Sequence, residues 1–127
     1  MKVKIGTIVN SYDELNELFN TPMKAIVAMY VSSILEVVSK EKEAFEEKKV
    51  KLIHELGEEV HDDDGESQIS VKEENMDEFY KKIDGLMEQE VFVCEEKINV
   101  NDLTTSNGDL INITPRCISK LKWLIEG

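Results

Sequence analysis

The chain has 127 residues, of which 41% are hydrophobic, and a net charge of −12 at pH 7. This length and composition fit a single domain, residues 1–127, with a modest hydrophobic core. The first residues lack the apolar run of a signal peptide, and no stretch approaches the roughly 18 consecutive apolar residues of a membrane span. We therefore expect a cytoplasmic protein with no membrane partner.

The negative charge is concentrated in one segment. Between Glu55 and Glu78 there are eleven acidic residues and one base, Lys72. Binding to a nucleic acid backbone needs clustered lysines and arginines, and Arg116 is the single arginine of the chain. The composition therefore excludes direct nucleic acid binding and is compatible with a basic protein partner.

The N-terminal residues predict a strand and a short helix. Apolar residues alternate with polar ones over residues 2–9, which indicates a strand. Ser11 stands three residues before Glu14, the spacing of a capping box, and this predicts a helix from about residue 12 to 19. Thr21 and Pro22 then give an N-cap followed by proline at the first helical position, which predicts a second helix start.

A long helix is predicted over residues 22–56. It spans about 52 Å at 1.5 Å per residue, longer than the core of such a domain, so its distal half should project. Gly57 is its predicted end. The apolar positions, spaced by three, four or seven residues, are Val27, Val31, Ile34, Val38, Phe45, Leu52 and Leu56.

A second amphipathic helix is predicted over about residues 73–90, with Phe79 and Ile83 on its apolar face. The two helices should pack antiparallel as a hairpin over residues 22–90, with the acidic segment at its tip. A chain reversal around Asp64 and Gly65 would form that tip. Gly85, within the second helix, either permits close approach of the helices or is a tolerated defect.

The C-terminal third predicts further strands and a helix. Alternation over residues 91–100 indicates a strand, and residues 110–113 form a possible short one after the turn signal Asn107-Gly108. Thr114 and Pro115 repeat the cap-and-proline signal, so a final helix is predicted over residues 115–126. The expected fold is α+β: a long antiparallel helical hairpin on a small sheet (strands near 2–9, 91–100 and 110–113) with short N- and C-terminal helices.

The acidic segment resembles two metal-binding motifs but lacks essential ligands of both. In an HExxH zinc site the fifth residue is histidine, but the residue four positions after His54 is Glu58. In an EF-hand register, Val60 and Val71 would take the first and last ligand positions, where carboxylates are required. We predict no cofactor and no metal site, although weak binding of a divalent cation by clustered carboxylates stays open.

The nucleophiles do not form a catalytic arrangement. Cys94 and Cys117 have neither CxxC spacing nor the density of a disulfide scaffold, so we expect reduced, buried or half-buried thiols. Both lie far in sequence from His54 and His61. We predict no catalytic residues and a protein that is not an enzyme.

The order of these features resembles a group of viral proteins. The features are a Thr-Pro start, the long-helix sequence KEKEAFEEKKVKLIHELGEE, an acidic Asp-Gly turn, ISVKEENMDEFYKKIDGLMEQEV, KINVNDL and ITPRCISKLKWLIE. In element order and composition the chain resembles the short, acidic, functionally unassigned proteins of tailed phages and prophages of Gram-positive bacteria. The resemblance implies an accessory protein acting in the host cytoplasm, and it supplies no catalytic residues.

The main hypothesis is protein binding through the acidic tip. The partner would be a host or phage protein with a basic surface, and binding would inhibit a nucleic-acid-handling or defence enzyme. The tip is alternatively a solvated turn that keeps a projecting hairpin soluble. The second functional hypothesis is virion assembly, as a chaperone or a head or tail component, and a homo-oligomer is compatible with both. The candidate partner-binding residues are Glu58, Glu59, Asp62, Asp63, Asp64, Glu66, Glu73 and Glu74.

Overall fold

The computed structural model describes residues 1–61 and 63–127 and has a mixed α+β fold, which confirms the predicted fold class. The longest element is a 32-residue helix that runs from the core to the projecting acidic segment. In chain order, the elements are β1 (Lys2–Lys4), α1 (Ile5–Phe19), α2 (Ala25–Leu56), β2 (Gly57–His61), β3 (Ser67–Val71), a 3-10 turn (Glu73–Asn75), α3 (Met76–Glu88), β4 (Glu90–Phe92), β5 (Ile98–Asn99), a second 3-10 turn (Val100–Asp102), α4 (Pro115–Lys120) and β6 (Ile125–Glu126).

Helix α1 has 15 residues and is nearly twice as long as predicted, because it begins at Ile5 and replaces most of the expected strand. Ile5 and Ile8 continue the helical stripe of Leu15 and Leu18, and all four side chains are buried. Ser11 is therefore inside the helix and is not a cap: its hydroxyl donates to the Thr7 carbonyl at 2.6 Å. The strand predicted over residues 2–9 is present as β1 but ends at Lys4, and the predicted helix start at Ser11 was wrong.

Helix α2 follows the predicted stripe but starts three residues later, at Ala25. The Thr21 hydroxyl donates to the Glu17 carbonyl at 2.8 Å, so the Thr-Pro pair closes α1 and does not open α2. At 1.5 Å per residue the helix is about 48 Å long. Its buried positions are Val31, Ile34, Val38, Phe45 and Leu56, with Val27 and Leu52 packed partly buried beside them.

Helix α3 packs antiparallel to α2, as predicted. At one end the Asn75 side-chain amide donates to the Leu56 carbonyl at 3.0 Å. At the other end Leu86 lies across from Lys48 on the earlier part of α2. Gly85 does not serve close helix packing, because a Cβ built there meets no atom within 4 Å.

The strands in the described part of the chain form three separate two-stranded sheets in place of one small sheet. In the first, β1 pairs antiparallel with β4, with Val3 opposite Val91. In the second, β5 pairs in parallel with β6, with Ile98 opposite Ile125. The predicted strand over residues 91–100 is divided because the consecutive residues Val93 and Cys94 are both buried, which breaks the alternation of a strand.

Residues 103–113 form a turn and not a strand. The predicted Asn107-Gly108 turn is present, with Gly108 at φ +87°, and the Thr105 N–H donates to the Asp109 carbonyl at 2.8 Å. Beyond it, a single antiparallel bridge joins Thr104 to Leu110. The possible strand over residues 110–113 is therefore absent from the described structure.

Helix α4 begins as predicted and ends early. The Thr114 hydroxyl accepts the Cys117 N–H at 3.1 Å, and Pro115 occupies the first helical turn. The helix stops at Lys120, and the expected helical residues 125–126 form β6 instead. Leu121 and Leu124, which follow the end of α4, are completely buried.

The most deeply buried side chains lie where α1, α4 and the first half of α2 meet, and the same core continues along α2 and α3 to Leu56, next to the acidic segment. The helices in the described part of the chain do not include one with the length and apolar character needed to cross a bilayer.

Candidate protein-binding hairpin

The acidic segment folds into a β-hairpin at the C-terminal end of α2. Strands β2 and β3 pair antiparallel from Gly57 opposite Val71 to His61 opposite Ser67. Every described residue between Gly57 and Val71 is exposed, on both faces of the pair. We call residues 57–71 the acidic hairpin. The sequence predicted only a reversal here, so the two strands are a new feature.

The turn of the acidic hairpin matches the prediction. Gly65 has a φ of +80°, a conformation that glycine adopts without a steric penalty. Asp63, Asp64 and Glu66 surround it and are all exposed. The predicted site residue Asp62 lies outside the described residues. The turn therefore presents at least three carboxylates at the tip of the acidic hairpin.

Gly57 holds the acidic hairpin against the end of α2. Its φ of −104° is ordinary, so its role is spatial and does not depend on conformational freedom. A Cβ there would lie 2.2 Å from the Ile53 carbonyl oxygen and 2.8 Å from that of Ser70. The N–H of Lys72 donates to the Leu56 carbonyl at 3.1 Å just outside the hairpin. The helix and the hairpin thus join at a close backbone contact.

The predicted acidic residues occupy two different places. Glu58, Glu73 and Glu74 line a hollow with Lys72 at the base of the acidic hairpin. The turn carboxylates lie about 15 Å farther along, at 3.3 Å per strand residue. The structure therefore divides the predicted single cluster into a base group and a turn group.

Glu59 lies on the other face of β2, directly opposite Ile69 on β3. Its carboxylate accepts the hydroxyl of Ser67 at 2.6 Å. The Ser67 hydroxyl also lies 3.4 Å from Nδ1 of His61 on the same face. This face is thus partly ordered by side-chain hydrogen bonds.

Sequence reasoning missed the uncharged part of the acidic hairpin. Strand β3, with the sequence SQISV, carries no charged residue. Val60 on β2 and Ile69 on β3 are 38% and 42% exposed. The alternation of Gln68, Ile69, Ser70 and Val71 is the one signal that pointed to a strand. Apolar side chains therefore stand among the carboxylates.

The described carboxylates of the acidic hairpin, a set that leaves out Asp62, are not arranged as a metal centre. Among the residues that the structure describes, no group of three histidine, cysteine, aspartate or glutamate side chains is placed to hold a metal ion. His54 and His61 are both exposed. The arrangement suits electrostatic recognition by an extended charged surface.

At the opposite end of the fold, α1 and α4 are joined by polar contacts. The buried carboxylate of Glu14 accepts Nε of Arg116 at 3.1 Å. The Trp123 indole N–H donates to Ser11 at 3.0 Å, and the Cys117 thiol donates to the Glu14 carbonyl at 3.3 Å. Cys94 is also buried, so the predicted burial of both thiols is confirmed. These contacts link two helices of the core.

The Cys117 thiol makes a pH dependence of stability predictable. Burial first, and then the carboxylates of Glu17 and Glu14, raise the pKa of Cys117 from 9.0 to about 11. A raised pKa means that stability is complete below pH 9 and falls as the pH rises toward 11. The loss should reach about 1.4 kcal/mol per pH unit.

We expect urea unfolding of the wild type to show this decline between about pH 9 and pH 11. In Cys117→Ala the alkaline decline should be shallower, because that variant has no thiol to ionise at this position. Equal slopes in the two proteins would show that this thiol does not resist ionisation.

Comparison of the chain with protein-family models, with characterised proteins and with solved structures found no match. The function proposed next therefore rests on the geometry and charge of the acidic hairpin.

Proposed function

We propose that this protein is a non-enzymatic accessory protein that binds a basic protein partner through the acidic hairpin. The observation that carries the proposal is the exposure of the hairpin on both faces at the end of a 32-residue helix. An isolated two-stranded hairpin is marginally stable in water, and a partner that covers one of its faces would stabilise it.

The charge of the acidic hairpin supports a basic partner. The carboxylates of the turn group and of the base group present negative charge along the acidic hairpin. Among the residues that line the hollow, Lys72 is the one that carries a positive charge. Complementary charge raises the association rate and the specificity of binding more than it raises the affinity. Val60 on one face of the hairpin and Ile69 on the other each place an exposed apolar side chain beside these carboxylates. Either face therefore combines apolar and charged groups, as protein interfaces do.

The sequence resemblance suggests the biological setting. In a phage or prophage of a Gram-positive bacterium, the partner would be a host protein that handles nucleic acid or defends the cell. The groove of such a protein carries basic residues that contact phosphates. An acidic hairpin docked in that groove would exclude nucleic acid and inhibit the enzyme.

Affinity capture from host lysate tests the proposal. The tagged protein should retain a basic host protein at low salt and release it at high salt, because salt screens exposed charges. Converting Glu58, Glu59, Asp63, Asp64 and Glu66 to the corresponding amides should reduce the captured amount by about tenfold or more. Circular dichroism should show that this variant remains folded.

A matched control carries five amide substitutions at exposed acids outside the acidic hairpin: Glu43, Glu47, Asp84, Glu90 and Glu95. The control has the same net charge as the hairpin variant but keeps all the carboxylates of the acidic hairpin. It should therefore capture the partner as the wild type does. Undiminished capture by the hairpin variant would remove the acidic hairpin from the interface.

A virion assembly role is the second candidate, and exposed apolar residues near the start of α2 favour it. Ile26 and Met29, one helical turn apart, are 78% and 71% exposed. An interface of this kind responds weakly to salt. Capture of virion proteins alone, unchanged at high salt and lost in Ile26→Glu, would support assembly in place of inhibition.

A further inference from the structure

A lysine-rimmed groove lies between α2 and α3, next to the acidic hairpin. It has a volume of about 460 Å³. Leu52 and Leu86 are the apolar residues of its lining, and both are partly buried. Lys48, Lys51 and Lys82 supply three positive charges, against the single carboxylate of Glu55. In a chain with a net charge of −12, this is a locally basic surface.

No contact within the described chain explains why residue 85, in this groove, is a glycine. It is exposed within α3, and a side chain there would meet no atom of the described chain within 4 Å. A helical glycine costs about 1 kcal/mol relative to alanine. A bare backbone at this point lets an external segment approach the helix closely.

We propose that this groove binds the acidic hairpin of a second copy of the chain. The hairpin carries what the groove lacks: carboxylates for the lysines, and one exposed apolar side chain for Leu52 and Leu86, either Val60 on one face of the hairpin or Ile69 on the other. Lys82 pairs with Glu78 at 3.3 Å, but both are about half exposed and such a pair is weak. Its ammonium group is therefore available to a carboxylate of the second copy.

The position of the two surfaces favours a symmetric dimer. Leu52 in the groove lies only five residues before Gly57, where the acidic hairpin begins. A twofold axis between groove and hairpin would place each hairpin on the groove of the other copy, so the same contact forms twice. Each hairpin would then gain the packing face that a lone pair of strands lacks.

This proposal does not rest on the proposed function, because the isolated protein is sufficient to test it. If both hold, the second copy covers the acidic hairpin and the basic partner must displace it. A monomer that still captures a basic partner would overturn the dimer and leave the proposed function in place.

Sedimentation equilibrium of the full chain over the micromolar range tests the dimer. The wild type should dimerise, and Lys48→Glu/Lys51→Glu/Lys82→Glu should weaken dimerisation by about tenfold or more. The matched control, with glutamate at the exposed Lys2, Lys120 and Lys122, should dimerise like the wild type. A wild type that is monomeric throughout, or a groove variant that dimerises as well as the control, would overturn the proposal.

Gly85→Ala separates binding from folding. At concentrations low enough for the chain to be monomeric, it should raise the melting temperature, because alanine favours the helix. At micromolar concentration it should weaken dimerisation, because the added methyl group projects into the groove. An unchanged dimer would contradict close approach at this glycine.

Charge exchange is the second check. A variant with lysine in place of Glu58, Glu59 and Glu66 should not dimerise alone but should form a mixed dimer with the groove variant. Failure to mix, with both variants folded, would count against hairpin-to-groove pairing.

Discussion

Replacing Leu121 with alanine is expected to lower the free energy of unfolding by about 2–5 kcal/mol. The Leu121 side chain is completely buried just after α4. Its truncation leaves a cavity that neighbouring side chains fill only partly. The Leu121 N–H still donates to the Cys117 carbonyl in the variant, so the loss reports packing alone. Urea unfolding followed by circular dichroism measures it.

Leu110→Ala is the matched control for this change. Leu110 is 62% exposed, so the same truncation should alter the free energy of unfolding by less than about 0.5 kcal/mol. Equal losses at the two leucines would contradict the placement of Leu121 in the core.

The second large effect is expected at the junction between α2 and the acidic hairpin. Gly57→Ala should lower the free energy of unfolding by about 1–3 kcal/mol, because the new methyl group meets the Ile53 and Ser70 carbonyl oxygens. Both are backbone atoms, which cannot rotate away as a flexible side chain would. The hairpin must shift from the end of α2 to relieve the contact.

Hydrogen exchange locates this damage. In Gly57→Ala, amides of residues 57–71 should exchange faster, while those around Leu15 keep wild-type protection. Leu110→Ala, a truncation at an exposed side chain outside both the hairpin and the groove, is the control and should leave the exchange of the hairpin amides unchanged. Unchanged exchange in the hairpin of Gly57→Ala would show that no close contact exists at this junction.

The features that could be predicted from the sequence have strong local signals. Apolar residues of α2 recur over many turns, so the buried positions from Val31 to Leu56 follow from spacing alone. Thr114 and Pro115 mark a helix start with a hydroxyl acceptor and a missing N–H. Gly65 marks a turn because few other residues adopt its φ.

The errors concern segments whose pattern fits two structures. Val3, Ile5, Thr7 and Val9 alternate like a strand, yet Ile5 and Ile8 also extend the stripe of α1. The contact of α1 with α4 and with the residues after it decides between them, through the Glu14–Cys117 and Ser11–Trp123 hydrogen bonds. These pairs are more than a hundred residues apart, so local periodicity could not reveal them.

The candidate site was predicted in composition but not in shape. Its carboxylates were identified from charge density, and seven of the eight lie among the described residues. Their division into a base group and a turn group follows from the register of β2 with β3. Val60 is the one apolar residue of β2, so the sequence of β2 gives little indication of that register. The uncharged strand β3 had to be seen in the structure.

The pairing of α1 with α4 also constrains how the protein forms in the cell. The Arg116 guanidinium reaches the Glu14 carboxylate across a separation of 102 residues. At a synthesis rate of about 5–20 residues per second, α1 would wait about 5–20 s for this partner. During that time its apolar stripe, which includes Leu15 and Leu18, lacks part of its native cover. We therefore expect nascent chains that end before α4 to associate with chaperones.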